Sequence, residues 1–322
     1  MKFMRQAVVV LCALIGGLGG ISTALAADLP TLGEGKEKSA LGAKDLVLRG
    51  DAKCTRCHDE TDSPKLLSIG KTKHGATADG RTPTCTSCHG KSEAHMVNVP
   101  AGQPQPKPDR VFSKNSATPV VARNDACLTC HENGLRMHWK GSQHEIENLA
   151  CASCHTIHAG KDPVLVKQTQ PEVCFNCHKE KRAEILLPSS HPIRDGKVAC
   201  SDCHNPHGST GPKMLVKGTV NETCYTCHAE KRGPFLWEHA PVREDCTICH
   251  KPHGSVHASL LKQRGPWLCQ QCHLVQYHPS TAYSGTGLPG AAPAQQLLGK
   301  NCLNCHSQVH GSNHPSGVRK TR

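Results

Sequence analysis

Large apolar side chains are scarce in this sequence. Of 322 residues only four are Phe, three Tyr and three Trp, an aromatic share of 3%. A chain so poor in bulky side chains cannot offset the entropy of ordering itself by burying them, which excludes an ordinary globular core. Alternating strand patterns are absent, so little β-sheet is expected. Beyond residue 26 no apolar stretch is long enough to span a bilayer as a helix. No Ser-His-Asp or other nucleophilic arrangement stands out. Basic residues are not interleaved with aromatic platforms on which nucleic-acid bases could stack. What the chain does have is 21 Cys and 23 His.

Twenty of the cysteines fall into ten Cys-x-x-Cys-His motifs. In chain order these are Cys54, Cys57 and His58; Cys85, Cys88 and His89; Cys127, Cys130 and His131; Cys151, Cys154 and His155; Cys174, Cys177 and His178; Cys200, Cys203 and His204; Cys224, Cys227 and His228; Cys246, Cys249 and His250; Cys269, Cys272 and His273; and Cys302, Cys305 and His306. This motif is the attachment signal of c-type haem. The two thiols add across the porphyrin vinyl groups, and the adjacent imidazole becomes the proximal ligand of iron. Ten covalently bound haem c groups are therefore expected. The porphyrins, large apolar discs, would supply the core that the side chains cannot, leaving the apo-chain unfolded.

The motifs repeat with a period. Alternate motif starts at Cys127, Cys174, Cys224 and Cys269 are 47, 50 and 45 residues apart, and the step from Cys54 to Cys127 is 73. This reads as five tandem two-haem modules. Each module carries two further histidines in matching places. Between its motifs lie His74, His144, His191, His239 and His278; after the second motif lie His95, His158, His207, His253 and His310. Ten spare imidazoles for ten irons predict two histidine ligands at every haem, with no open position for substrate. Such a chain carries electrons and does not catalyse. Which of the ten serves which haem stays open. His138, His257 and His314 are left over; spacing from the preceding motif favours His144 over His138, His310 stands against His314 as the one nearer the three-residue offset found elsewhere, and His278 has the least regular offset. Met96, Met137 and Met214 are alternative axial ligands that would raise potentials, but enough histidines exist to leave them to packing.

Zinc and disulfides are the competing explanations. Zinc takes four ligands per metal and leaves the obligatory following histidine unexplained. Exported cysteines usually pair, but pairing explains neither the fixed spacing nor the histidines.

Residues 1–26 read as a secretory signal: Lys2 and Arg5 open it, Ala7 to Leu18 is apolar, and Ala24-Leu25-Ala26 is a small-residue cleavage site. Cys12 lies inside it. Cleavage removes two positive charges from the formal +12, leaving +10. Ten haems bring about twenty propionate charges, so the basic balance is spent on the cofactor rather than on nucleic acid. The first module spans about 51–96, and a short helix is plausible over Ser39 to Leu48. Pro100, Pro104, Pro106, Pro108 and Pro119 make residues 97–123 a linker or a surface strap. Helices are predicted around Pro171 to Leu186 and Asn221 to Arg232, tight turns at the Pro-His-Gly of 206–208 and 252–254, and a loop over 279–301. The expected fold is mostly irregular with short α-helices and almost no β-sheet, elongated like other quasi-linear repeats.

Cys-His-x-Pro-His-Gly at 203–208 and 249–254, together with the ending Asn301-Cys302-Leu303-Asn304-Cys305-His306-Ser307-Gln308-Val309-His310-Gly311-Ser312-Asn313-His314-Pro315, resembles the MtrA/DmsE-type decahaem cytochromes. The resemblance runs from about residue 50 onward. It implies a periplasmic cytochrome inserted into an outer-membrane β-barrel porin and carrying electrons between periplasm and cell exterior. It also implies bis-histidine ligation and a haem wire built from two pentahaem halves, residues 27–190 and 191–322. Further implied partners are a periplasmic or inner-membrane cytochrome and an outer-surface multihaem cytochrome. Members serve metal reduction, Fe(II) oxidation and dimethyl sulfoxide respiration, so the direction of flow stays open. The alternatives are a diffusible periplasmic shuttle to a terminal reductase and a multihaem reductase.

Overall fold

The ten motifs impose one local backbone device on the chain. In nine of them the histidine N–H donates to the carbonyl of the first cysteine, from His58 to Cys54 at 3.0 Å through His306 to Cys302 at 2.9 Å. The remaining motif forms a complete helical turn, Cys85–His89. A computed structural model describes residues 52–75, 81–273, 301–315 and 317–320. All of these belong to one compact unit, Leu41–Arg322.

Helices are short because the motif ends them. The longest among the described residues is Val120–Leu128, of nine residues. The helix predicted around 171–186 is two pieces, Gln170–Phe175 and Lys179–Glu184, with Pro171 in its first turn as expected. Between them His178 takes φ −86° and ψ 58°, which is not helical. That turn swings the imidazole out of the helix path, and the helix-favouring Lys-Glu-Lys-Arg run can only restart beyond it. The helix predicted around 221–232 breaks in the same way: Val220–Tyr225 ends, His228 adopts φ −102° and ψ 47°, and one 3₁₀ turn follows at Ala229–Lys231. The helix expected over Ser39 to Leu48 and most of the loop over 279–301 lie outside the described residues.

No strands form among the described residues; four isolated bridges take their place, Ser189 with Ser255, His204 with Leu215, Trp237 with Ser312, and His250 with Leu261. Two of these bridges are copies of one turn. His204 Nδ1 meets the Lys213 carbonyl at 3.0 Å, and His250 Nδ1 meets that of Ser259 at 2.8 Å. Both acceptors are non-glycine residues held left-handed, Lys213 at φ 52° and Ser259 at φ 56°. Such backbone costs on the order of 1–2 kcal/mol, and it persists where surrounding contacts determine it.

The apolar core is minimal. Among the described residues only Trp139, Ala150, Phe175, Ile185 and Ala199 are buried hydrophobics, while eleven polar or charged residues are buried. Polar clamps hold the motifs of a module together instead. Asn124, three residues before Cys127, donates to the Leu149 carbonyl at 3.0 Å and accepts from Cys151 N–H at 2.8 Å. Asn221, three before Cys224, does the same with the Val242 and Arg243 carbonyls and Cys246 N–H. Gln170 makes the equivalent link to Ser201.

Residues 97–123 are a strap rather than a spacer. The Arg110 carbonyl meets His89 Nδ1 at 2.9 Å, and its guanidinium donates to the Ser87 and Cys88 carbonyls. Pro106 offers its carbonyl to His95 Nδ1. Phe112 packs edge-on against His89, with ring centres 5.3 Å apart. The prolines keep this segment extended while its carbonyls reach two motif-associated histidines.

Candidate haem-binding sites

Nine pairs of imidazoles face one another, each joining a motif histidine to one of the spare histidines. The pairs are His58 with His95, His89 with His158, His131 with His74, His155 with His207, His178 with His144, His204 with His253, His228 with His191, His250 with His310, and His273 with His239. Their ring centres are 5.9–6.3 Å apart. A metal–imidazole bond is about 2 Å and the ring nitrogen lies about 1 Å from the ring centre, so two axial imidazoles on one metal ion sit about 6 Å apart. The gap is the right width for an iron between the two rings. The tenth motif histidine, His306, is described, but the remaining spare histidine, His278, lies outside the described residues.

The pairing crosses the modules. His144, His191 and His239, which lie between the motifs of one module, face the first motif histidine of the next module. His158, His207, His253 and His310 face the second motif histidine of the preceding one. At the N-terminal end His95 has no preceding module and faces His58 within its own. Successive modules are thus interlocked by ring pairs. His138 and His257 join no such pair among the described residues.

The other ring nitrogen of most of these histidines has a defined partner, which fixes the ring and leaves Nε2 for metal. His144 Nδ1 meets the Pro206 carbonyl at 2.8 Å, His191 that of Pro252 at 2.7 Å, and His239 that of Val309 at 2.9 Å. Each acceptor immediately precedes a spare histidine of the following module: His207, His253 or His310. One turn therefore presents its own imidazole to one site and orients the imidazole of the next. His158 uses the Leu66 carbonyl at 2.7 Å. His155 is different, since its Nδ1 donates to the Asp162 carboxylate at 2.7 Å. The carbonyl acceptors were not legible in the sequence, because a backbone carbonyl belongs to every residue type.

Burial favours the neutral rings that ligation requires. Desolvation lowers His89, His131, His239, His253 and His310 below the ordinary histidine value, and lowers His207 to about 4.

The sulfurs form a continuous sequence-ordered run. Within modules Cys127 touches Cys151, Cys174 touches Cys200, and Cys224 touches Cys246. In each of these pairs the shared hydrogen bond pushes the first thiol up and the second down. Burial raises Cys269 to about 11, with Cys302 as the next cause. Between modules Cys154 neighbours Cys177, Cys203 neighbours Cys224 and Cys227, and Cys249 neighbours Cys272. These free thiols stand where thioether sulfurs carry porphyrin, so attachment points from the third motif to the tenth are adjacent in order.

The chain is 47% identical over 275 residues to the Multiheme cytochrome MtrA of Shewanella baltica (strain OS185), an alignment covering 84% of this chain and 80% of that protein. The chain belongs to the MtrA family of multihaem cytochromes. It binds haem c covalently and transfers electrons. The family of the doubled CXXCH motif matches residues 144–183, 191–233 and 239–276. Each segment opens on a spare histidine and contains the motif histidine that faces it: His144 with His178, His191 with His228, and His239 with His273. The Cytochrome c-type protein NrfB is also similar. The Escherichia coli O6:H1 protein is 29% identical over 150 residues, covering 44% of this chain and 73% of its own length. The Haemophilus influenzae protein is 31% identical over 150 residues, covering 40% and 65%.

One substitution pair separates ligand from bystander. His144→Met is expected to raise the potential of a single haem, since thioether ligation raises potentials. His138→Met is expected to leave every potential in place. A redox titration of both variants tests this, and the reverse result would exchange their roles.

Proposed function

We propose that this multihaem cytochrome relays electrons across an outer membrane while housed in a β-barrel porin, through ten covalently bound haems. The observation that carries the reading is the ordered run of neighbouring sulfurs from Cys127 to Cys302, with facing imidazoles on either side of each described site. Porphyrins attached to adjacent sulfurs lie close enough to pass electrons along the chain. The protein supplies the second axial ligand at each iron, using His74, His95, His144, His158, His191, His207, His239, His253, His278 and His310. With both faces of every iron occupied, the chain carries electrons and has no open haem for substrate.

The barrel follows from the solvent the chain can tolerate. No described helix is long and apolar enough to cross a membrane, and irregular backbone exposed to lipid leaves polar groups unsatisfied. A barrel offers polar inner walls. The full bilayer is roughly 40–45 Å thick, a distance that a row of ten porphyrins, each about a nanometre across, more than covers. In this reading the protein works from the periplasm, taking electrons from or giving them to a periplasmic or inner-membrane cytochrome. The haem of Cys302, Cys305 and His306 lies toward the outer face, where an outer-surface multihaem cytochrome can dock. The pentahaem halves, residues 27–190 and 191–322, are joined by His155 facing His207, His144 by Pro206, and Gln170 by Ser201.

Two measurements test the reading. Mass spectrometry of the exported protein should find ten haems; nine or fewer on fully matured protein would count against it. Liposomes holding an internal redox dye should respond to an external reductant only when barrel and cytochrome are reconstituted together. If the barrel alone conducts as well, or the cytochrome never binds it, the diffusible shuttle replaces the conduit.

A further inference from the structure

We infer that Asp162 is a redox-tuning residue, holding the haem between His155 and His207 at a lower potential than a carbonyl-partnered site would have. The inference rests on the reading of those two histidines as axial ligands. His155 is singular among the described motif histidines in donating Nδ1–H to a carboxylate at hydrogen-bond distance, 2.7 Å from Asp162 Oδ2. The carboxylate is well built in. Its Oδ1 accepts from Thr156 N–H at 3.2 Å and Val164 N–H at 3.4 Å, and its side chain is only 12% exposed. No Lys or Arg pairs with it among the ion pairs of the described residues.

A carboxylate drawing on the Nδ1 proton gives the ring imidazolate character and makes Nε2 a stronger donor. A stronger axial donor favours ferric over ferrous iron. The buried negative charge, little screened by water, opposes the incoming electron directly. The distal ring does not share in this: His207 Nδ1 is buried without a hydrogen-bond partner, so the stronger donation comes from His155 alone. Its counterpart two motifs on is weaker: Glu184 reaches His253 Nδ1 at 3.3 Å but is already engaged by Lys181 Nζ at 2.8 Å.

With haem bound, His155 and His207 would hold the iron and the group would supply a one-electron couple, its electron exchanged with a neighbouring haem; no bond would be made or broken, and the Nδ1 proton would stay between His155 and Asp162. Because Cys154 neighbours Cys177 and Cys151 touches Cys127, the tuned site lies inside the ordered run, not at its end. Electrons following that run meet it as a step.

The test is a redox titration of the full haem-loaded protein followed by electron paramagnetic resonance. The near-parallel rings of this site, 9° apart, are distinguishable there from the crossed pair His74–His131 at 82°. Asp162→Asn and Asp162→Ser should each raise the reduction constant of one near-parallel haem about tenfold, which is about 59 mV for one electron. Asp162→Glu should move it less, and the remaining haems should stay in place. If Asn and Ser leave every component unmoved while all haems remain low-spin, the tuning role is overturned and ligation stands. If His207→Met leaves the same haem unmoved, the ligand assignment itself fails and takes this inference with it.

Discussion

Protein exported without its haems should behave as an unfolded chain. Circular dichroism should show little helix, and heating should give no cooperative transition, whereas the mature protein should show both. The reason is the composition of the interior. Ordering a residue costs about 1–2 kcal/mol of backbone entropy, and a fully buried large apolar side chain returns about 1.5–3 kcal/mol. Only three such side chains, Trp139, Phe175 and Ile185, are buried among the described residues. The short helices give little independent help, since helices under about 12 residues are marginal alone. Asn124 and Asn221 clamp motifs to one another but cannot replace an apolar interior. The porphyrins must supply it, and a cooperative transition in the haem-free protein would refute that account.

How much of this was legible in the sequence depends on how far apart the cooperating atoms lie along the chain. The attachment motif is complete within five residues, so spacing alone reveals it, and its repetition discloses the modular architecture. The facing histidines are a different problem. His144 and His178 are 34 residues apart, His155 and His207 are 52 apart, and His74 and His131 are 57 apart. Matching offsets could nominate the spare histidines, but only folding decides that they serve across modules. Framing the repeat from spare histidine to following motif, as in residues 144–183, would have revealed three of the pairs. The helix predicted through 186 is instead split, because the Lys-Glu-Lys-Arg run after His178 continues a helical pattern while turning the imidazole out breaks the backbone at His178. The strap at 97–123 was legible as extended through its prolines. That Arg110 and Pro106 offer carbonyls to His89 and His95 was not, because backbone acceptors carry no side-chain signature.

Gly208→Ala should destabilise the mature protein and release one axial ligand. Gly208 follows His207 in the turn Asn205-Pro206-His207-Gly208, closed by Gly208 N–H donating to the Asn205 carbonyl at 3.0 Å. Its φ is +98°, where an L side chain is strained. The turn is also pressed against the preceding module. A Cβ on Gly208 would collide with the His138 carbonyl oxygen and lie 2.9 Å from the carbonyl carbon and from Ser142 Cβ. Neither neighbour yields cheaply. Ser142 caps the following helical turn by accepting from Glu145 N–H at 3.2 Å, and Asn205 ties the two segments by donating to the Leu135 carbonyl at 2.8 Å. Left-handed strain of about 1–2 kcal/mol and overpacking of about 1–3 kcal/mol act together, so a loss on the order of 2–5 kcal/mol is expected. The least costly relaxation moves the turn outward. That carries His207 away from His155 and withdraws the Pro206 carbonyl from His144, whose partner is His178. The expected signature is a high-spin component and new carbon monoxide binding at one haem, or at two where both rings are lost. Gly218→Ala, with open space around the site and no positive φ, should show neither. A Gly208→Ala protein with full stability and entirely low-spin haems would mean that this turn does not hold the imidazoles in place.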